Sequence, residues 1–141
     1  MIYYFLKRLV DLLLAIIAFI ILSPFLIITA IILLFTGEGE VFYLQERLGF
    51  KNKKFKIIKF ATMLKNSPEI GTGSLTLRGD PRVLPFGKFL RKSKINELPQ
   101  IFNVIIGNMS IVGPRPQMQV DFDKFPADKR NEIYKSQPGI T

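Results

Sequence analysis

Neither cysteine nor histidine occurs in this 141-residue chain. Without cysteine there is no disulfide framework, no thiol nucleophile and no Cys-based metal site. Without histidine as well, general-base work and metal binding fall to carboxylates, and oxygen ligands suit a hard ion such as Mg2+. Acidic residues are themselves scarce, with 11 Asp and Glu against 20 Lys and Arg, a formal net charge of +9. From Leu12 to Phe35 charge is missing altogether, over 24 residues relieved only by Ser23, Pro24 and Thr29. That run exceeds the ~20 residues needed to cross a bilayer core and reads as a membrane segment. A cleaved leader is not expected, because the run is too long, Asp11 stands at its head and no small-x-small site closes it. No internal repeat is visible, and the GTG at 71–73 is no nucleotide-binding fingerprint by itself.

Within the apolar run, Pro24 cannot donate to the Ile20 carbonyl and its ring pushes against that group, so a kink is expected. Ser23 can hydrogen-bond a carbonyl one turn back and cover part of what the break exposes. Lys7 and Arg8 precede the run; Arg47, Lys51, Lys53, Lys54, Lys56 and Lys59 follow it. The positive-inside rule therefore pulls both ends to the cytoplasmic side. A helix that dips in and returns at a Ser23–Pro24 corner satisfies both flanks, and a kinked spanning helix also accommodates the proline. The residues leave both readings open.

After residue 36 the chain carries 18 Lys/Arg against 10 Asp/Glu, a net charge of +8. Such a basic body suits anionic lipid headgroups, a phosphorylated substrate or nucleic acid, and beside a membrane segment nucleic acid is the least expected partner. Val41 to Glu46 and Lys54 to Phe60 read as two strands of a hairpin around the turn-prone GFKNKK stretch. Residues 66–81, rich in Gly, Ser and Pro, read as a mobile loop able to cover a site. Phe86 to Lys92 mixes aromatic and basic residues as an interfacial helix would, or as an ordinary amphipathic core helix does.

The stretch Lys94 to Pro116 carries the most chemistry. Asn96 suits an N-cap, Pro99 suits a first turn, and Gly107-Asn108 supplies a stop, so a helix is predicted from about Glu97 to Ile106. Leu98, Ile101, Phe102 and Ile105 would bury one face and leave the Glu97 end outward. Anions favour such a helix entrance, and Arg115, fixed between Pro114 and Pro116, can offer a bidentate fork to phosphate oxygens. The same residues also read as a simple cap, a dipole-matched acid and a surface charge in a rigid turn.

These residues, with KRLVD at 7–11, VFYLQERLG at 41–49, KIIKF and Met63, DPRVLPFGKFLRK at 80–92, NELPQIFNV at 96–104, GNMSIVGPRP at 107–116 and PGIT at 138–141, resemble the bacterial sugar transferases, monotopic phosphoglycosyl transferases. The resemblance covers nearly the whole chain. It implies a small α/β catalytic domain, residues 37–141, on a kinked re-entrant membrane helix, residues 1–36, with interfacial helices on the cytoplasmic leaflet of the bacterial inner membrane. It also implies transfer of a sugar 1-phosphate from a UDP-sugar to a polyprenyl phosphate, with Mg2+ and release of UMP, as the first membrane step of glycoconjugate assembly. In the similar enzymes an Asp-Glu pair stands at 96–97, where the Asp forms a covalent intermediate and the Glu helps bind Mg2+. Glu97 carries over as catalytic and metal-binding, Arg91 and Arg115 as phosphate contacts, and Pro114-Arg115-Pro116 as the nucleotide corner. A homo-oligomer stays open.

Three departures accompany the match. Asn96 places a neutral amide at the nucleophile's position, so the covalent step is lost, passes to Glu97, or was removed by substitution. The alternative in another class is a non-catalytic membrane protein that binds UDP-sugar or polyprenyl phosphate. The chain stops at PGIT where similar proteins continue, so part of the site or its membrane support is expected to be missing. Ala61 stands where the family usually has Arg.

Overall fold

The computed structural model describes residues 1–73 and 75–141. A long helix, α1 (Ile2–Phe35), leads into a hairpin of β1 (Phe42–Leu48) and β2 (Lys54–Phe60), followed by four shorter helices: α2 (Pro85–Lys92), α3 (Gln100–Ile106), α4 (Gln119–Phe122) and α5 (Ala127–Ile133). The described residues thus mix helices with one two-stranded sheet, as expected of a small α/β body. β2 has its predicted bounds, and β1 is displaced toward the turn. That turn is a 3-10 segment in which Lys51 and Asn52 take left-handed backbone angles, φ 55 and 58.

Among the described residues α1 alone is long and apolar enough to cross a membrane, by length and composition. Asp11, Ala15, Leu26, Thr29 and Leu33 are its buried stripe, while Leu13, Leu14, Ile16, Ile17, Ile20, Ile21, Ile27 and Ile28 are exposed. So much bare apolar surface on one element is unusual for a water-soluble face. The helix continues through Pro24. The Ser23 hydroxyl donates to the Ile20 carbonyl at 2.9 Å, taking the acceptor that proline leaves without its usual N–H.

The chain forms two compact units, Met1–Ser23 with Leu44–Ile58 and Gln100–Thr141, and Pro24–Tyr43 with Lys59–Pro99. In the first, Ala15, Ile57, Val104 and Met109 form a core flanked by Phe55, Ile105 and Ile111. The polar residues of early α1 are built into it. Arg8 donates to the carbonyls of Val104 and Ile105 at 2.6 and 3.0 Å, capping the end of α3. Asp11 accepts from the Lys7 ammonium at 2.9 Å, the Ser110 hydroxyl at 2.7 Å and the Ile111 N–H at 3.3 Å. Asn103, fully buried, acts as a one-residue strand: its amide oxygen accepts the Ile58 N–H at 2.9 Å and its amide nitrogen donates to the Lys56 carbonyl at 2.8 Å.

In the second unit, residues 62–64 run beside 82–84, through Leu64 N–H to Arg82 O and Leu84 N–H to Thr62 O, each 2.9 Å. α2 packs on this strip so closely that a Cβ at Gly87 would lie 2.2 Å from the Thr62 carbonyl oxygen. α2 buries Gly87 and Leu90 and exposes Lys88, Phe89 and Lys92, so it is amphipathic as predicted. Among the described residues, the loop at 66–81 holds no regular element beyond a 3-10 turn, Ser67–Glu69. Its organisation comes from Arg82, whose buried guanidinium donates to the carbonyls of Ser67, Ile70, Gly73 and Leu75 at 2.6–2.8 Å and pairs with Asp80 at 2.6 Å.

Candidate functional site

The predicted helix entrance is corrected. Ile95–Glu97 is a separate 3-10 turn entered through Lys94 at φ 64, and α3 starts only at Gln100. Pro99 is the cause: it has no N–H to continue a helical ladder, so Glu97 and Leu98 bond three residues back, to Lys94 and Ile95, each at 3.1 Å. Asn96 therefore caps nothing. Glu97 lies ahead of α3 rather than in its first turn. The buried face of α3 also shifts, to Gln100, Ile101, Asn103 and Val104.

This tight turn places chemistry. Asn96 is buried, 8% exposed, and its amide oxygen has no hydrogen-bond partner among the described residues. A buried acceptor left so is costly unless a ligand meets it. Next to it, the Glu97 carboxylate lies 3.7 Å from the Lys59 ammonium at the end of β2, with both side chains half-buried. From the last turn of α2, which packs on the same 3-10 turn, Arg91 donates to the Thr62 hydroxyl at 3.3 Å. The second unit thus collects Lys59, Arg91, Asn96 and Glu97, two cations beside one carboxylate and one amide oxygen. Among the described residues no three His, Cys, Asp or Glu side chains are grouped to hold a metal.

The Pro-Arg-Pro corner belongs to the first unit. All four carbonyls from Pro114 to Gln117 are engaged: by Gly139 N–H at 3.0 Å, the Tyr134 hydroxyl at 2.9 Å, the Arg47 guanidinium at 3.4 Å and Leu48 N–H at 2.9 Å. Pro116 is buried and Arg115 exposed. A backbone held at every carbonyl presents that arginine from a fixed stalk. Sequence reasoning gave Lys59 no role in the site and missed Tyr134; each acts through a partner far along the chain, and no local pattern marks it.

The family model described as "Bacterial sugar transferase" matches residues 2–141, and the chain belongs to that family. It is 41% identical, over 99% of its length and 33% of the relative's, to a UDP-N-acetylgalactosamine-undecaprenyl-phosphate N-acetylgalactosaminephosphotransferase of Aeromonas hydrophila. It is 37% identical, over 99% of its length and 73% of the relative's, to a putative undecaprenyl-phosphate N-acetylgalactosaminyl 1-phosphate transferase of Bacillus subtilis. An exopolysaccharide production protein of Sinorhizobium fredii is 37% identical over 96% of this chain and 66% of the relative. The chain spans about a third of the Aeromonas protein and about two thirds of the Sinorhizobium one.

Proposed function

We propose that this chain carries the phosphate-handling core of a transferase that moves a sugar 1-phosphate from a UDP-sugar to a polyprenyl phosphate and releases UMP. The observation that carries this reading is the Ile95–Glu97 turn, where the unmet Asn96 amide oxygen adjoins the Lys59–Glu97 pair. Within the second unit Lys59 and Arg91 would hold phosphate oxygens by charge; within the first, Arg115 offers a planar fork suited to a nucleotide phosphate. In the transfer an oxygen attacks the sugar-linked phosphorus, the bond from that phosphorus to the bridging oxygen breaks, and UMP leaves with the electron pair.

Mg2+ fits the donor set in part. The Glu97 carboxylate and the Asn96 amide oxygen are both hard ligands, and this ion commonly takes one or two protein oxygens and completes its shell with phosphates and water. When bound, it would neutralise charge on the diphosphate oxygens. The Asn96 amide is no nucleophile, so the only carboxylate of the turn is that of Glu97, and the acceptor phosphate is the other oxygen able to attack.

The acceptor's lipid tail requires the reaction to run at a membrane surface. We place α1 in the bacterial inner membrane with the basic body on the cytoplasmic leaflet against anionic lipids. Ser23 and Pro24 serve as a re-entrant corner. The Ser23 bond to the Ile20 carbonyl supports that corner.

UMP release from a panel of UDP-sugars, with polyprenyl phosphate and Mg2+ in nanodiscs, tests the reading against the Asn96→Asp and Glu97→Gln variants. Expected are release by the unaltered chain or by Asn96→Asp, a gain of about a hundredfold or more on restoring the carboxylate, and loss in a folded Glu97→Gln. Silence from both the unaltered chain and Asn96→Asp, with UDP-sugar still bound, would favour a non-catalytic binding protein.

A further inference from the structure

We infer that Tyr134 is a positioning residue for Arg115, an inference that rests on the reading of the Pro-Arg-Pro corner as the nucleotide grip. Pro114 and Pro116 lack N–H groups, so the corner must be pinned largely through its carbonyls. Tyr134 holds it from two sides: its hydroxyl accepts the Gln117 N–H at 2.7 Å and donates to the Arg115 carbonyl at 2.9 Å. Arg115 is thereby bracketed by one phenol oxygen, bonded to its own peptide and to the residue two positions on.

The phenol is itself immobile. Tyr134 is 1% exposed, packs with Leu48 and Phe122, and lies in offset contact with the Phe122 ring at 5.8 Å. Burial pushes its ionisation above the ordinary range, so the hydroxyl keeps the proton it donates. A buried tyrosine hydroxyl usually finds a partner; this one spends both its donor and its acceptor on the same corner. Fixing the peptide on both sides of a cation lowers what must be ordered when the cation meets an anion.

The test is titration of UDP into the full chain in detergent, for the unaltered protein and for Arg115→Ala, Tyr134→Phe, Phe122→Leu and the Arg115→Ala/Tyr134→Phe pair, with the melting temperature of each. Arg115→Ala should weaken UDP about tenfold or more, as loss of a charge-assisted contact does. Tyr134→Phe, which keeps the ring, should weaken it about fivefold, and the pair should be no weaker than Arg115→Ala alone. Phe122→Leu loosens the same cluster without touching a hydrogen bond; it should lower the melting temperature and weaken UDP less than Tyr134→Phe does. If Tyr134→Phe does not fold, 4-fluorophenylalanine at position 134 keeps the ring and its volume without the O–H, and the same fall is expected. Unchanged affinity in Tyr134→Phe or in the fluorinated variant beside a weakened Arg115→Ala overturns the positioning role alone. An equal loss in Phe122→Leu reduces Tyr134 to a packing residue. Unchanged affinity in Arg115→Ala overturns the nucleotide reading of the corner and this inference with it.

Discussion

Asn103 joins β2 to both the body and the end of α3. Its side chain completes hydrogen bonds for Lys56 and Ile58 of β2, and its carbonyl accepts the N–H groups of Gly107, Asn108 and Met109 where α3 ends. Asn103→Ala would strand a donor and an acceptor in the core, and a loss of about 2–4 kcal/mol is expected in chemical denaturation. Asn103→Asp should be little better, because it replaces the donor facing the Lys56 carbonyl with a second acceptor. In the sequence this residue only interrupts an apolar face; its meaning lies 45 positions away in β2. Asn96 was misread for the opposite reason. Its local pattern is a good cap, but Pro99 decides where a helix can begin, and the cap rule does not weigh a proline three residues on. Glu97 and Arg115 stand out in the sequence by residue type, whereas Lys59 comes beside Glu97 only when β2 meets the 3-10 turn.

Elements carry two further expectations. In α1, Pro24→Ala restores the N–H to the Ile20 carbonyl and should straighten the helix, after which a tag at Met1 becomes accessible from the far side of a vesicle. A tag already accessible there in the unaltered protein would refute the corner. The loop at 67–82 offers a pH test. The Arg82 guanidinium, bonded to the Asp80 carboxylate, holds that carboxyl well below its ordinary range. A depressed folded value means that the pair contributes fully above the unfolded value of about 3.9 and loses its contribution as pH falls through the folded value. The difference in melting temperature between the unaltered chain and Asp80→Asn should therefore be flat near neutrality and shrink only below about pH 4. The strands were legible from alternation and turn residues, β2 to the residue. The loop was legible as a loop, but composition cannot reveal that its carbonyls, the Thr72 hydroxyl and the Asp80 carboxylate converge on one arginine.

At the scale of the molecule, a net charge of +9 and a helix bare of charge from Leu12 onward were plain from composition, and they argue for two separable modes of membrane attachment. Partition by α1 is apolar and insensitive to salt; attraction of the basic body to acidic headgroups is screened, with a Debye length of about 10 Å at 0.1 M and 3 Å at 1 M salt. Reconstituted protein should therefore prefer anionic over neutral vesicles at low salt, lose that preference near ~1 M salt, and stay bound throughout. The grip of Arg8 on α3, and of Asp11 on Ser110, has a consequence in time as well as in space. These pairs lie 96 and 99 positions apart, so a ribosome makes the start of α1 long before it makes the carbonyls and the hydroxyl that these side chains bind. Until then Arg8 is without those acceptors, and Asp11 has only the Lys7 ammonium one turn away, beside an apolar run. Synthesis of residues 104–111 ends that wait, so the opening turns of α1 are completed by residues made some hundred positions later.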